Sequence, residues 1–146
     1  MIEFFYSVIN TVFFIGKIKG GGTIVSFLLL FLWFFFIKGS FTILFDFFSL
    51  ILFLSYISIS NSKKFFGDDK RIVIDELVGA TISIMFLPKN FLVIFISILI
   101  FRYLDISKIF FLDRFEKIEG ATGILLDDIM AGILANLITH FIIFIL

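Results

Sequence analysis

The chain has 146 residues, 61% of them hydrophobic, with 12 basic and 12 acidic side chains and a formal net charge of zero. This apolar content is far above the roughly 45–50% of ordinary soluble domains, so we predict an integral membrane protein, with the lipid bilayer as its partner and one membrane-embedded domain over residues 1–146. No basic surplus or nucleic-acid motif is present, and the absence of cysteine excludes disulfides, thiolate metal ligands and cysteine nucleophiles.

The chain begins with a short apolar segment and a glycine-rich segment. Residues 1–15 would reach only ~22 Å as a helix, against a hydrocarbon core of ~30 Å. We therefore expect a helix that lies in the membrane interface, with a tilted span as the alternative. In the segment Gly16 to Thr23, three consecutive glycines are expected to break any helix, and Thr23 to cap the next one. This loop is either a flexible connector or a backbone site for an anionic group.

Two hydrophobic helices are predicted next, at 23–37 and 41–60. Asp46 lies inside the second, and we expect it to have a structural role, such as pairing with Lys38. A polar loop at 61–71 follows and is expected to be solvated.

The segment 72–87 is predicted to be a helix that begins with two adjacent carboxylates, Asp75 and Glu76. Gly79 and Ser83 continue the same face at helical spacing. The opposite, apolar face is expected to contact lipid. A charge near a membrane is costly, so the acidic pair is expected to have a function or a partner.

A helix at 91–104 and a polar, mixed-charge segment at 105–120 lead to the last predicted helix, 124–146, which begins with Asp127 and Asp128. Small and polar residues continue the face of the second aspartate: Ala131, Gly132, Ala135, Asn136, Thr139 and His140. Two helices therefore share one pattern, an acidic pair followed by a small-residue stripe, which favours close packing of membrane helices.

Lysine and arginine side chains concentrate in the polar loop at 61–71, which indicates a cytoplasmic location for that loop. Counting crossings from it places the glycine loop, both acidic pairs and the end of helix 91–104 on the same face. We therefore predict an all-α, multi-pass bundle in the cell membrane. It would have about four to five membrane helices, an N-terminal interfacial helix and a cytoplasmic active site.

Carboxylates gathered at one interface attract a hard divalent cation, and Mg²⁺ typically binds one or two carboxylates, waters and a phosphate. Arg102 and Lys108 lie within two turns of Asp105 and are suited to gripping a phosphate. His140 lies far along the last helix and is expected to pack or hydrogen-bond. With no cysteine and no histidine near this face, we expect metal-assisted hydrolysis, in which an aspartate either activates water or acts as the nucleophile. The alternative is structural, because acidic pairs also offset the helix dipole.

Four stretches resemble the phosphatidylglycerophosphatase A family in their residues and in their order along the chain: GGGTIVSF, IVIDELVGATISIMFLP, IFRYLDISKIFFLDRFE and GATGILLDDIMAGILAN. The resemblance implies a membrane-bound, magnesium-dependent lipid phosphatase. Its substrate would be phosphatidylglycerophosphate, which it would hydrolyse to phosphatidylglycerol and inorganic phosphate.

The resemblance also implies three sets of site residues. The catalytic set is Asp75, Asp105, Asp127 and Asp128. The metal-binding set is Asp75, Glu76, Asp127 and Asp128. The substrate-binding set is Arg102, Lys108 and, by a looser match, Thr23.

Two other functions fit parts of the sequence less well. Another metal-dependent phospholipid head-group enzyme, such as a CDP-alcohol transferase, would carry several aspartates and glycines in one motif, which this chain lacks. A small cation or proton carrier would need acids deep in the bilayer, where only Asp46 and His140 would qualify.

Overall fold

The computed structural model describes residues 1–35, 41–63, 69–108 and 118–145. Within these ranges the chain forms α-helices and no strand, which confirms the all-α prediction. The helices are α1 (Ile2–Asn10), α2 (Gly21–Phe35), α3 (Phe41–Asn61), α4 (Ile74–Ile84), α5 (Phe91–Ser107) and α6 (Ala121–Ile145). A 3₁₀ turn at Ile15–Lys17 precedes α2. Lys38, the expected partner of Asp46, and most of the polar segment 105–120 lie outside the described ranges.

Of the helices in the described ranges, two are long and apolar enough to cross a membrane, α3 with 21 residues and α6 with 25. By the same measure α2, with 15 residues, is a shorter apolar helix. The expected count of four to five membrane helices is therefore not confirmed. The first helix, α1, has 9 residues and is too short to cross a bilayer by itself, because it rises only ~13 Å.

The short helix α4 lies at the centre of the fold and packs against α2, α3, α5 and α6. The prediction that its apolar face contacts lipid is wrong for Val78 and Ile84, which are 0% exposed, whereas Leu77, Ile82 and Met85 on that face are partly buried. Apolar side chains suit a protein neighbour as well as they suit lipid, so the sequence pattern does not distinguish the two. The acidic pair at the start of α4 is therefore held inside the bundle.

The closest helix contact joins α4 to α6 through two glycines. A Cβ atom on Gly132 would overlap the carbonyl oxygen of Gly79, and one on Gly79 would lie 2.6 Å from the carbonyl oxygen of Asp128. The small-residue stripes of the two helices thus form their contact surface, and the backbones approach as closely as sterics allow.

Asn136 of α6 closes the other end of α4. Its Nδ2 lies 2.7 Å from the carbonyl oxygen of Met85, 3.0 Å from that of Ser83 and 3.2 Å from that of Ile82. Ser97 of α5 donates a further hydrogen bond of 2.5 Å to the Ser83 carbonyl. The last carbonyls of a helix have no partner in a following turn, so these contacts satisfy the carbonyls of Ser83 and Met85, and they add to the bond that the Ile82 carbonyl accepts from the Met85 amide.

The N-terminal helix is tied to the bundle by buried polar contacts. Asn10 is 0% exposed, and its carbonyl accepts a 2.9 Å hydrogen bond from the Val73 amide, just before α4. The Ser58 hydroxyl of α3 donates a 3.2 Å hydrogen bond to the Tyr6 carbonyl. These bonds fix where the chain enters the 3₁₀ turn and α2.

Candidate active site

A volume of about 1090 Å³, called the cleft below, lies where the first turn of α2, the N-terminal ends of α4 and α6 and the C-terminal end of α5 meet. Seven charged residues predicted from the sequence line it: Asp75, Glu76, Arg102, Asp105, Lys108, Asp127 and Asp128. Thr23, the eighth predicted residue, is half-buried in the first turn of α2 and is not part of this lining. The preceding glycines, Gly20 to Gly22, line this side of the cleft instead.

Asp75, Glu76 and Asp128, called the carboxylate triad below, each place one oxygen within 4.8 Å of the others. Asp75 is 7% exposed and Asp128 is 4% exposed. Among the described residues, Oε2 of Glu76 and Oδ1 of Asp128 are buried without any hydrogen-bond partner. Like charges repel strongly in such surroundings, so a cation bound among these carboxylates would stabilise the ionised triad. Three converging carboxylates match the oxygen ligands that Mg²⁺ prefers.

Arg102 of α5 lies between the triad and Asp105. Its Nη1 donates a 2.5 Å hydrogen bond to Oδ2 of Asp105 and lies 3.8 Å from Oε1 of Glu76. The arginine and its aspartate are one turn apart on the same helix, which places both side chains on the same side. Within the described residues, Nε of Arg102 is buried without an acceptor. This guanidinium therefore has one N–H group that no acceptor in the described ranges satisfies.

Lys108 and Asp127 form a second ion pair, with Nζ 2.7 Å from Oδ2. Lys108 ends α5 in a left-handed conformation, with φ of 44°. Asp127 was predicted to bind metal beside Asp128, but the metal-ligating cluster found among the described residues contains only Asp128 of the two. Consecutive residues on a helix differ by about 100° in direction, and the two aspartates accordingly face different partners.

The glycine-rich segment differs from the predicted loop. The helix α2 begins at Gly21, so Gly21 and Gly22 lie in its first turn and Thr23 does not cap it. A Cβ atom on Gly22 would overlap the Glu76 carboxylate and would lie 3.1 Å from Nη2 of Arg102. Glycine costs a helix about 1 kcal/mol relative to alanine, but here it lets the backbone approach the two charged side chains.

Three lysines at the mouth of the cleft were not predicted as site residues. Lys17, Lys19 and Lys70, called the basic rim below, are exposed and line the cleft. The sequence offered one signal, since Lys17 and Lys19 directly precede the glycine run Gly20 to Gly22. Beside them Arg71 pairs with Asp69 at 2.6 Å, and this hydrogen bond holds the pKa of Asp69 below its usual value.

The comparison with known proteins agrees with this arrangement. Residues 8–143 match the family described as phosphatidylglycerophosphatase A. The chain is 38% identical over 77 residues to phosphatidylglycerophosphatase A of Escherichia coli strain K12, an alignment that covers 51% of this chain and 45% of that protein.

A second relative is a provisionally named phosphatidylinositol-3-phosphatase of Bacteroides thetaiotaomicron. It is 32% identical over 69 residues, which cover 45% of this chain and 43% of that protein. Each alignment thus spans less than half of the curated relative's length. No solved structure gives a significant match. Because the family match runs from residue 8 to residue 143 and includes every charged residue that meets in the cleft, the chain belongs to the phosphatidylglycerophosphatase A family.

Proposed function

We propose that the chain is a magnesium-dependent membrane lipid phosphatase that hydrolyses phosphatidylglycerophosphate to phosphatidylglycerol and inorganic phosphate. The observation that carries the proposal is the convergence of the carboxylate triad, with oxygens within 4.8 Å, in a cleft that also contains Arg102 and Lys108. Membership of the family supports the phosphatase class, and the name of the Escherichia coli relative supplies the lipid.

The carboxylate triad would hold Mg²⁺, because one oxygen of each member converges with the others, and two members, Glu76 and Asp128, each have a buried oxygen with no hydrogen-bond partner among the described residues. When bound, the ion supplies Lewis-acid stabilisation of the phosphoryl oxygens and makes a bound water more acidic. Asp127 contributes differently in this proposal. Its carboxylate holds Lys108 in the cleft, where the ammonium group is available to a phosphate.

Arg102 and Lys108 would bind the terminal phosphate of the substrate. Asp105 and Asp127 orient them through ion pairs of 2.5 Å and 2.7 Å. Arginine suits this role because its planar guanidinium can serve a carboxylate and a phosphate oxygen from different N–H groups. The acidic side chains of the cleft would thus have two roles: the carboxylate triad binds the metal, and Asp105 and Asp127 position the two cationic side chains.

The attack on phosphorus follows one of two routes with the same residues. In the first route, a cleft carboxylate removes a proton from water as the water attacks phosphorus, and the P–O bond to the lipid breaks. In the second, a carboxylate attacks, the same bond breaks to leave an acyl phosphate, and water then hydrolyses the acyl phosphate. In both routes the lipid leaves as an alcohol after it takes up a proton. Acid quenching of a single turnover with phosphorus-32-labelled substrate separates them. Label retained on the protein supports the covalent route, and its absence at every time point supports direct attack.

The experiment that tests the function is phosphate release by purified protein in neutral detergent micelles. We expect release from phosphatidylglycerophosphate with Mg²⁺, none in EDTA, and recovery when Mg²⁺ is restored. The Asp128→Asn variant should keep its helical circular dichroism and lose activity. Undiminished release in EDTA would contradict the proposal. Parallel assays with phosphatidylinositol 3-phosphate, prompted by the second relative, and with CDP-linked lipid, scored by CMP release, distinguish related activities.

We also propose that the cleft opens to the cytoplasm. Lys70 and Arg71 line the cleft, and Lys63 follows α3 at the same end of the bundle, which is the distribution expected for a cytoplasmic face. The absence of cysteine gives a clean background for labelling. An impermeant maleimide should label Lys63→Cys only in inverted vesicles and Lys89→Cys only in right-side-out vesicles. The reverse pattern would overturn the orientation.

A further inference from the structure

Two basic segments that are distant in sequence lie side by side at the mouth of the cleft, Lys17–Lys19 and Lys70–Arg71. A Cβ atom on Gly16 would overlap the carbonyl oxygen of Arg71, so the two backbones are in direct contact. The 2.9 Å hydrogen bond from Val73 to Asn10 joins the same two stretches of chain. Backbone packing therefore fixes the position of these lysines relative to one another.

The basic rim differs from the other cations of the cleft in its partners. Arginine or lysine pairs with an aspartate at 2.5 to 2.7 Å in three places around the cleft. For Lys17, Lys19 and Lys70, by contrast, no ion pair with a carboxylate occurs in the described part of the chain. Lys17 instead lies over the ring of Phe14, with Nζ 4.3 Å from its centroid. Within the described ranges, the rim is therefore positive charge without a carboxylate partner.

We propose that the basic rim is a second anion site, which binds the phosphodiester of a lipid whose head group also ends in a phosphomonoester. The inference rests on the proposed function, in which the monoester reaches the carboxylate triad. A lipid of this class carries the diester between the monoester and its acyl chains. With the monoester inside the cleft, the diester therefore lies towards the mouth, where the rim supplies charge and flexible N–H donors.

The rim then determines specificity. A lipid that has both phosphates, such as phosphatidylglycerophosphate, gains an ionic contact that phosphatidic acid, with its single monoester, does not make. Loss of the rim should therefore reduce turnover of the first lipid selectively, and it should leave the metal site intact.

The test replaces Lys17, Lys19 and Lys70 together by glutamine and measures kcat/KM for both lipids in neutral detergent micelles, where surface charge is absent. We expect a fall of about ten- to a hundredfold for phosphatidylglycerophosphate, as for loss of a charge-assisted contact, and no change for phosphatidic acid. The triple arginine variant should keep wild-type selectivity. Lys63→Gln is the matched control, because this lysine is not part of the cleft lining.

An equal fall for both lipids, or no fall for either, would overturn the inference. A second measurement does not depend on turnover: binding of short-chain phosphatidylglycerol, which has the diester alone, followed by NMR. Wild type should bind it and the glutamine variant should not, whereas equal binding would refute the proposal that the rim binds the phosphodiester. If wild type hydrolyses neither lipid, the proposed function fails, and the binding measurement still decides the role of the rim.

Discussion

Gly132 of α6 lies directly against the carbonyl oxygen of Gly79 of α4, one helical turn beyond the ends that carry the carboxylate triad. The contact brings the two helix backbones together, and it therefore sets the separation of Asp75 and Glu76 from Asp128. The metal site depends on this crossing as much as on the carboxylates themselves.

Gly132→Ala should separate the two helices. Overpacking of this kind costs about 1–3 kcal/mol, and the triad oxygens would also move apart. We expect a lower unfolding temperature in detergent and weaker Mg²⁺ binding by calorimetry. Ile133→Ala, at the exposed neighbouring position, is the control and should change neither. Unaltered Mg²⁺ affinity in Gly132→Ala would show that the helix crossing does not set the separation of the triad oxygens.

Gly22→Ala should act on the triad from the opposite wall. The added methyl group would overlap the Glu76 carboxylate and displace it, while alanine itself favours the helix. We expect Mg²⁺ affinity to fall with little loss of thermal stability. Ile24→Ala, on the exposed side of the same helix, provides the comparison. A variant with wild-type Mg²⁺ affinity would show that Glu76 is not a ligand.

The two adjacent aspartates of α6 should give different kinetic defects. Asp128→Asn removes a triad oxygen charge, so Mg²⁺ affinity should fall at least about tenfold. Asp127→Asn releases Lys108, so KM for the lipid should rise about tenfold while Mg²⁺ affinity stays at the wild-type value. Calorimetry with Mg²⁺ and steady-state kinetics distinguish them. Equal losses of Mg²⁺ affinity would place both aspartates at the metal, as the sequence pattern predicted.

Asn136→Ala should loosen the far end of α4. Among the described residues, this side chain is the only donor to the Met85 carbonyl, whereas the carbonyls of Ser83 and Ile82 keep the Ser97 hydroxyl and the Met85 amide as donors. Leaving one such carbonyl unpaired costs about 1–3 kcal/mol. We expect a lower unfolding temperature and faster amide exchange near the end of α4. Leu137→Ala, exposed on the same helix, is the control. Wild-type exchange rates at Ser83 and Met85 would contradict this role.

The Asp69–Arg71 pair should be visible in a titration. The guanidinium lowers the pKa of Asp69 below 3.8, so the pair stabilises the fold above the unfolded-state pKa. This contribution is lost as the pH falls through the folded-state pKa. In Arg71→Gln, NMR should show the Asp69 carboxyl titrating at higher pH than in wild type. An unchanged titration would assign the shift to another group.

Helical spacing in the sequence was enough to predict the small-residue stripe of α6 and its acidic start. The residues Asp128, Gly132 and Asn136 recur every four positions, and the structure places them along one contact with α4. Spacing alone could not show what covers the other face of α4, because lipid and protein interiors select the same apolar side chains.

Other features depended on contacts between distant parts of the chain. Gly21 and Gly22 were predicted to break a helix because their intrinsic propensity is poor, yet both lie in the first turn of α2, where Gly21 packs against the Ile15 backbone and Gly22 against the Glu76 carboxylate. The separation of Asp127 from Asp128 likewise followed from the position of Lys108 at the end of another helix. Neither contact has a signature within its own segment.

The walls of the cleft are completed late in synthesis. Gly16 packs against the backbone carbonyl of Arg71, and Gly79 packs against that of Asp128. Each of these contacts can form only after a segment much later in the chain has been translated. A ribosome-bound chain that ends before α6 would already carry the glycine segment and the first acidic pair, yet it would lack the third carboxylate. Co-translational insertion would therefore yield an inert precursor, and metal binding would begin only once the last helix had entered the bundle.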